Sequence, residues 1–301
     1  MVKNKIFSYA LVLAAQLGAA GYSYSGTLDT IAERNSITFG VREASVPFSY
    51  ADDSGKSIGY TVEICNKIAD AVRLRLGRPE LLVKYHEVTG ATKIPLMANG
   101  TIDLECSTTT NTLPRQNQVS FSSTTFLSSN VFMAKKSSGL KRIDDLKGKT
   151  VVSISGSTNM QALVKLNADK KLGLRVIAAR DLAEAFLMLD TDRAAALVQD
   201  DSILVGVIAS SGKPQDFTLS EDSFGPPEPY AIMIRKDDPE FKKLVDDAIA
   251  EYFKSEAGQL NYNRWFVDPI PPRGYKLNFP MGQALKKVYA SPTDSPDVAS
   301  Y

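Results

Sequence analysis

The sequence is poor in the residues that build metal sites and nucleophilic catalytic sites. Its 301 residues include two cysteines and a single histidine. His86 lies in an alternating segment typical of a strand, where we expect it to face solvent. Two cysteines and one such histidine argue against a zinc site and against a Ser/His/Asp or Cys/His catalytic set. We therefore expect no metal, no cofactor and no enzymatic activity.

Long apolar runs are also scarce. The apolar run at residues 6–20 is too short to span a bilayer, and no other segment of the sequence is apolar for long enough to do so. This run follows two lysines and precedes small residues, which is the pattern of a secretory signal peptide over residues 1–25. Cleavage after Ala20 and cleavage after Ser25 both fit, and the alternative interpretation is a buried N-terminal helix. The pattern predicts an exported, periplasmic protein.

The sequence has no excess of either charge. Residues 1–25 hold two of the 35 basic residues and none of the 34 acidic ones, which leaves 33 against 34 and a net charge of −1. This balance gives no reason to expect nucleic acid or an anionic membrane as a partner. The remaining chain of roughly 275 residues is longer than one hydrophobic core usually supports, so we expect two lobes.

Short β-rich segments alternate with helical ones along most of the chain. This alternation predicts an α/β protein with mostly parallel sheets flanked by helices. Two such series, the first completed by a C-terminal segment, predict two lobes that close on a ligand at the carboxyl ends of their strands. The predicted units are lobe 1 over residues 26–125 and 231–301, lobe 2 over residues 130–226, and hinges near residues 125–129 and 226–230.

The segment from Ile94 to Phe121 carries the clearest functional signal. It reads as a helix, a tight turn, a short strand, a hydroxyl-rich loop and an arginine before a second strand. The loop offers hydroxyls and amides around Thr108 and Thr110, and Arg115 offers a planar fork that fits a carboxylate in two places. The segment has no nucleophile–base pair. It therefore predicts a binding site for a small carboxylate.

Two further segments offer partners for the two charges of a free amino acid. Ser155 to Thr158 follows a predicted strand, so the helix that starts there presents free amides to an anion. Ser157 is a candidate pocket residue there, although serine and threonine are also ordinary helix caps. Asp200 follows a buried strand and is placed to hold an ammonium, although acids at a strand end are usually solvated. A closing cleft must partner both charges, because an unpaired buried charge is costly.

From about Gly26 onward the chain resembles the substrate-binding proteins of polar amino acid ABC importers (solute-binding protein family 3), especially those for glutamate and aspartate. The family's loop reads ECGSTTNN followed by ER, where this chain has ECSTTTNT followed by PR. The resemblance implies a type II periplasmic-binding-protein fold with two crossing hinge strands, an amino acid ligand and an inner-membrane ABC permease as partner. We also expect a monomer. The residues that the resemblance places around the ligand's α-groups are Thr108, Thr110, Arg115, Thr158 and Asp200.

The side-chain pocket departs from the pattern of the acidic amino acid binders that the chain resembles. The resemblance assigns Arg42 to the ligand's distal carboxylate and Phe48 to an aromatic wall. On sequence alone the first is more simply an exposed charge and the second a core residue. A serine, an arginine and a histidine of the family are replaced by Gly90, Lys93 and Leu182. The pocket thus keeps two cations but is expected to be roomier and more apolar, so a different polar amino acid is an alternative ligand.

The two cysteines have two interpretations. Cys65 lies on the apolar stripe of a predicted helix, and Cys106 lies on the inward face of a predicted strand. In an oxidising compartment they could form a structural disulfide. The alternative is two buried small hydrophobic residues.

An enzymatic alternative also exists, because the same fold resembles a periplasmic dehydratase that acts on amino acid precursors. Such an enzyme needs a general acid in the cleft, and Glu43 and Glu105 are the candidates. Both are more simply explained as structural or solvated side chains, so we favour the binding protein.

Overall fold

The computed structural model describes residues 26–301 and contains two five-stranded sheets with flanking helices. The predicted signal peptide, residues 1–25, lies outside the described residues. Within residues 26–301 no helix is both long and apolar enough to span a bilayer. In chain order the strands are β1 (Ser36–Val41), β2 (Ala44–Ser45), β3 (Ser49–Ala51), β4 (Ser57–Ile58), β5 (Leu82–Glu87), β6 (Leu104–Glu105), β7 (Ser120–Ser128), β8 (Asn130–Lys135), β9 (Thr150–Ile154), β10 (Arg175–Ala179), β11 (Ala196–Asp200), β12 (Phe217–Leu219) and β13 (Glu228–Ile234).

Helices separate most of these strands, as the alternating pattern predicts. In chain order they are α1 (Thr27–Arg34), α2 (Tyr60–Leu76), α3 (Lys93–Ala98), α4 (Leu113–Gln116), α5 (Thr158–Asp169), α6 (Leu182–Asp190), α7 (Asp201–Ser210), α8 (Pro239–Lys254), α9 (Glu256–Phe266) and α10 (Gln283–Ala290). Short 3-10 turns cover Lys136–Ser138, Ile143–Leu146, Pro214–Asp216 and Val298–Ser300.

The two large sheets have related topologies. The first has the order β5-β1-β6-β13-β7 and the second has the order β10-β9-β11-β8-β12, and a small third sheet has the order β2-β3-β4. In the first, β1 runs parallel to both of its neighbours; in the second, β9 does so. These parallel pairs confirm the predicted α/β class. Below, lobe 1 means the part built on the first sheet and lobe 2 the part built on the second.

The chain crosses between the lobes twice, and the crossings are anchored in an aromatic core. It leaves lobe 1 between β7 and β8 and returns at β13, which pairs antiparallel with β7. Phe126 on β7 and Tyr230 on β13 stack with their ring centroids 6.0 Å apart, and Phe266 stacks on Phe126 at 4.9 Å. The Tyr60 hydroxyl donates to the Thr125 carbonyl at 2.7 Å. The crossing strands are therefore held by large buried rings of lobe 1.

The segment beyond Pro269 is more ordered than its proline-rich sequence suggests. It contains α10, whose Leu285, Val288 and Tyr289 are buried at helical spacing. The Tyr289 ring stacks on Phe253 of α8 with centroids 3.9 Å apart. Prolines at either side of the helix hide this pattern, because they indicate coil on a local reading.

A disulfide joins Cys65 in α2 to Cys106, just after β6. The Cα atoms lie 6.1 Å apart, within the usual range for such a bond. Both residues are fully buried in the core of lobe 1. The bond fastens a covering helix to the strand whose end carries the hydroxyl-rich loop.

Removing this disulfide is expected to destabilise the protein. The two cysteines are 41 positions apart. A disulfide that closes a loop of that size raises the free energy of the unfolded chain by about 4 kcal/mol, because it removes conformational entropy. We expect dithiothreitol to lower the free energy of unfolding, measured by urea titration, by about that amount. The control is the Cys65→Ala/Cys106→Ala variant, which should be less stable and indifferent to the reductant. An unchanged urea midpoint of the unaltered protein under reduction would contradict the prediction.

Candidate functional site

A small enclosed cavity, about 40 Å³, lies between the two lobes and gathers most of the predicted site residues. A larger groove of about 540 Å³ lies on the surface beside α9 and α10, away from all of them. Nine of the eleven predicted ligand-binding and pocket residues line the enclosed cavity; Phe48 and Leu182 do not. The lining residues are Arg42, Gly90, Lys93, Thr108, Thr110 and Arg115 of lobe 1, and Ile154, Gly156, Ser157, Thr158, Asn159, Gln199 and Asp200 of lobe 2.

Arg115 is held at the cavity by a short capped helix. The Thr112 hydroxyl accepts a hydrogen bond from the Arg115 amide, and a proline in the first turn fixes the start of α4. The side chain is 8% exposed, and its two terminal nitrogens donate to the Thr110 carbonyl (2.9 Å) and, across the cleft, to the Gly156 carbonyl (3.3 Å). Burial lowers its pKa, and the negative charges of Glu228 and Glu105 oppose that effect. The guanidinium stays a cation at neutral pH.

The facing wall of lobe 2 is the start of α5. Ser157 caps this helix, because its hydroxyl accepts from the Met160 amide at 3.0 Å. The Ser157 side chain thus acts as a helix cap, which is the alternative role given above. The first-turn amides, including those of Thr158 and Asn159, have no acceptor within the helix. A helix start of this kind attracts an anion through free N–H groups and the helix dipole.

Asp200 ends β11 on the same side of the cavity. It is 4% exposed, and one carboxylate oxygen accepts a hydrogen bond from the Asn159 side chain at 3.0 Å. Burial, with the nearby charge of Glu228, raises the pKa of Asp200 to about 7. An ammonium placed beside this carboxylate would stabilise its charged form.

Glu228, the first residue of β13, is a site residue that the sequence did not reveal. One oxygen of its carboxylate accepts from the Thr110 hydroxyl of lobe 1 at 2.8 Å and from the Thr158 hydroxyl of lobe 2 at 2.6 Å. The two hydroxyl oxygens lie 3.3 Å apart. The signal that could have found Glu228 is an acid inside the predicted crossing at residues 226–230.

Lys93 brings a second cation to the lobe 1 wall. The residue is 6% exposed, and its ammonium donates to the Thr109 hydroxyl at 2.7 Å, which in turn donates to Glu105 at 2.7 Å. Burial, with the nearby positive charge of Arg115, lowers the pKa of Lys93 to about 7. Because one hydrogen bond uses one of three N–H donors, two remain for an anion.

Arg42 stands between this cavity and a second one. Its backbone amide donates to Ser49, whereas its guanidinium has no hydrogen-bond or ion-pair partner among residues 26–301. The second cavity, about 360 Å³, contains Leu182 and the carboxylates of Glu87 and Asp181. Leu182 is 4% exposed in the core of lobe 2, so the apolar wall lies beyond Arg42 and outside the enclosed cavity.

Phe48 lies in the core behind the site. It is fully buried, and its ring makes edge contacts with Tyr60, Phe126, Tyr230 and Phe266 at centroid distances of 4.9–5.9 Å. The expected aromatic wall is therefore not part of the lining. Phe48 is absent from the lining because the aromatic cluster at the crossing strands surrounds its ring on several sides.

Gly90 allows the two lobes to approach closely. A Cβ atom added there would lie 2.6 Å from the Ser155 carbonyl oxygen of lobe 2. Gly156, at φ +74°, approaches from the other side, and a Cβ there would lie 3.0 Å from the Gly90 oxygen. The space that the missing serine side chain leaves is thus filled by backbone, and the pocket is not roomier at this point.

Other chemistry finds no support among the described residues. Within residues 26–301 no group of three or more His, Cys, Asp or Glu side chains is arranged to hold a metal ion. The two acids considered for a dehydratase also lie outside the cavity lining. Glu43 is exposed, and Glu105 is buried behind Thr109.

Comparison with known proteins gives consistent matches. A family model, bacterial extracellular solute-binding proteins, family 3, matches residues 37–268. The chain is 46% identical over 290 residues to the L-glutamate/L-aspartate-binding protein of Pseudomonas aeruginosa, covering 94% of each. It is 40% identical over 302 residues to the glutamate/aspartate import solute-binding protein of Salmonella typhimurium, covering 98% of this chain and 99% of that one.

Among solved structures, an ancestral arginine-binding protein bound to arginine superimposes with a TM-score of 0.69 at 27% identity. The match covers 77% of this chain and 99% of that protein. The two-lobed fold implied by the sequence resemblance is therefore confirmed by a solved structure of the same architecture.

Proposed function

This chain belongs to the bacterial extracellular solute-binding proteins, family 3, and from that premise we propose that it captures an L-amino acid for delivery to an ABC importer. Glutamate and aspartate are the first candidates, because the relatives from Pseudomonas and Salmonella are glutamate/aspartate-binding by name. The observation that carries the proposal is the position of Arg115 and Asp200, which face one enclosed cavity from opposite lobes.

The α-groups of the ligand account for these opposite charges. The α-carboxylate is proposed to bind Arg115 and the free amides at the start of α5, where Thr158 lies. The α-ammonium is proposed to bind Asp200. Each ligand charge then meets an opposite protein charge that is already buried, which removes the cost of leaving either charge unpaired.

Closure follows from the same contacts. A ligand that touches both lobes binds the closed arrangement better than an open one and shifts the population toward it. We propose that lobe 1 covers residues 26–125 and 231–301, that lobe 2 covers residues 130–226, and that the chain flexes near residues 125–129 and 226–230.

Cations on the lobe 1 wall favour an acidic side chain. Arg42 and Lys93 line the cavity with donors that remain free, so a distal carboxylate can bind both. Lysine in place of the family's arginine keeps the charge but loses the planar fork that grips both oxygens of a carboxylate. A different polar amino acid remains the alternative ligand, and a ligand screen separates the two.

The cellular setting completes the proposal. Residues 1–25 act as a signal peptide that is cleaved on export to the periplasm, where the protein works as a monomer and docks on an inner-membrane ABC permease. Nucleic acid is not a partner. The protein is proposed not to be an enzyme, because neither Glu43 nor Glu105 reaches the cavity as a general acid. Product formed from a prephenate-like substrate would contradict this last point.

A thermal-shift screen across the common L-amino acids tests the function. Ligand at about 100 times its dissociation constant adds about 2.7 kcal/mol of stability, so glutamate or aspartate should raise the melting temperature measurably. Arg115→Ala should weaken binding of every amino acid about 30-fold or more, because it leaves the α-carboxylate unpaired. Arg264→Ala, at an exposed arginine of α9, is the matched control. A shift with sugars or metals alone would refute the proposal.

Arg42→Ala tests the side-chain assignment. Because this guanidinium is proposed to meet the distal carboxylate, affinity for glutamate should fall about 30-fold or more, while neutral amino acids should change far less. Calorimetric titration of the variant with acidic and neutral ligands gives the comparison. Equal losses for both classes would show that Arg42 acts on the protein as a whole instead of on the acidic side chain.

The affinity for glutamate should depend on pH with a maximum near neutrality. Asp200 has its pKa raised to about 7 and must be charged to hold the ammonium, so affinity rises as pH increases toward 7. Lys93 has its pKa lowered to about 7 and must be protonated to hold a carboxylate, so affinity falls as pH increases further. On each side of the maximum the affinity should change by at most about tenfold per pH unit.

Calorimetry between pH 5.5 and 8.5 measures this profile, and Lys93→Arg is its internal control. Arginine stays protonated throughout this range, so the variant should keep the acid limb and lose the alkaline one. A flat profile for the unaltered protein, or an alkaline limb that survives Lys93→Arg, would contradict the assignment.

A further inference from the structure

Glu228 bridges the lobes without facing the ligand cavity. Its carboxylate oxygen receives the hydroxyl protons of Thr110 and Thr158, one from each lobe. Both threonines line the enclosed cavity, whereas Glu228 lies behind them and faces a groove of about 470 Å³ on the outer side of the crossing strands. Glu228 therefore makes its hydrogen-bonded contact with the site through the two hydroxyls, and its charge also acts on Asp200 through space.

The direction of these hydrogen bonds restricts what the hydroxyls can do. A threonine hydroxyl has one proton to donate and two lone pairs with which to accept. A carboxylate has no proton to offer, so in each bond the hydroxyl is the donor and Glu228 the acceptor. On their cavity side Thr110 and Thr158 then present lone pairs, which suit an ammonium and repel a carboxylate.

We propose that Glu228 is a positioning residue that turns the hydroxyls of Thr110 and Thr158 into acceptors for the ligand's α-ammonium and ties the two lobes together at that point. This inference rests on the proposed function. It changes the expectation that the Thr110 hydroxyl binds the α-carboxylate, which is left to Arg115 and the amides at the start of α5. The ammonium is then surrounded by Asp200 and two oriented hydroxyls.

The electrostatic surroundings agree with this division. Glu228 adds negative charge beside Asp200 and contributes to the rise in its pKa. Asp200 also faces Asp201 on its own side and the positive charges of Lys93 and Arg115 across the cavity. The charge of Glu228 thus acts on both Arg115 and Asp200, and beside Asp200 it adds to the negative charge where the ammonium is proposed to bind.

Glu228→Gln tests the inference, because glutamine keeps the shape of the side chain and removes its charge. Its affinity for L-glutamate, measured by calorimetry, should fall about 10- to 100-fold, as expected for weakened hydrogen bonds to a charged group. The melting temperature of the unliganded variant should stay within about 2 °C of the unaltered protein, because half-buried polar substitutions of similar shape usually cost little. Glu221→Gln, at an exposed acid of lobe 2, is the matched control.

The pH profile separates positioning from a merely structural role. With Glu228 neutral, the pKa of Asp200 should fall, so the acid limb of the L-glutamate affinity profile should move to lower pH. A structural effect would reduce affinity and unliganded stability together and leave that limb in place, and this result would overturn the inference. A dissociation constant within threefold of the unaltered protein would overturn it as well.

A double-mutant cycle with Thr158→Val completes the test. If Glu228 acts through the hydroxyl, Glu228→Gln should cost less in the Thr158→Val background than alone. Losses that multiply in the double variant would mean independent action and would overturn the inference. If the unaltered protein binds no amino acid, the proposed function fails and this inference fails with it; if it binds and Glu228→Gln behaves like the control, only the inference fails.

Discussion

Burying opposite charges on the two walls of one cleft is the constraint on which the rest of this structure depends. Arg115 and Asp200 are both more than nine-tenths buried, yet neither pairs with the other. Arg115 donates to backbone carbonyls, and Asp200 accepts from an amide side chain. Charges held apart in this way are costly to bury. The pKa of Arg115 is accordingly lowered and that of Asp200 raised, and each shift favours the neutral form of the group. In the proposed complex a zwitterion between them pairs both charges at once, so closure and recognition of an amino acid become one event.

The same constraint extends to the balance of charge around the cavity. Lobe 1 lines it with three cations, Arg42, Lys93 and Arg115, whereas Asp200 is the acid among the lining residues of lobe 2. The compensating carboxylates belong to Glu105 and Glu228. Each accepts a hydrogen bond from a threonine hydroxyl that lies between it and the cavity. The cavity surface is therefore more positive than the shell behind it. An amino acid with an acidic side chain, which carries two carboxylates and one ammonium, matches that surface better than a neutral one.

Much of the fold, and the meeting of Arg115, Thr158 and Asp200 at one cavity, could be predicted because those residues depend on local geometry. Arg115 follows a hydroxyl-rich loop, Thr158 starts a helix and Asp200 ends a strand, and in an α/β protein such positions meet at one edge. Glu228 could not be placed, because its partners lie 118 and 70 positions away and its own segment shows only a crossing strand. Phe48 lies in the core, which is its simpler interpretation on sequence alone, and the rings that surround it are distant in sequence. Likewise, α10 owes its order to packing on α8, and propensity alone gives no sign of that.

Acidic residues near Arg42 can influence the affinity for a ligand without contacting it. The Arg42 guanidinium forms part of the wall between the enclosed cavity and a second cavity that holds Glu87, Asp181 and Leu182. In the proposed complex a distal carboxylate attracts it from one side, and Glu105 together with these two acids attracts it from the protein. In the proposed function, affinity for an acidic ligand therefore depends on a competition for one guanidinium, to which the outer carboxylates contribute without touching the ligand.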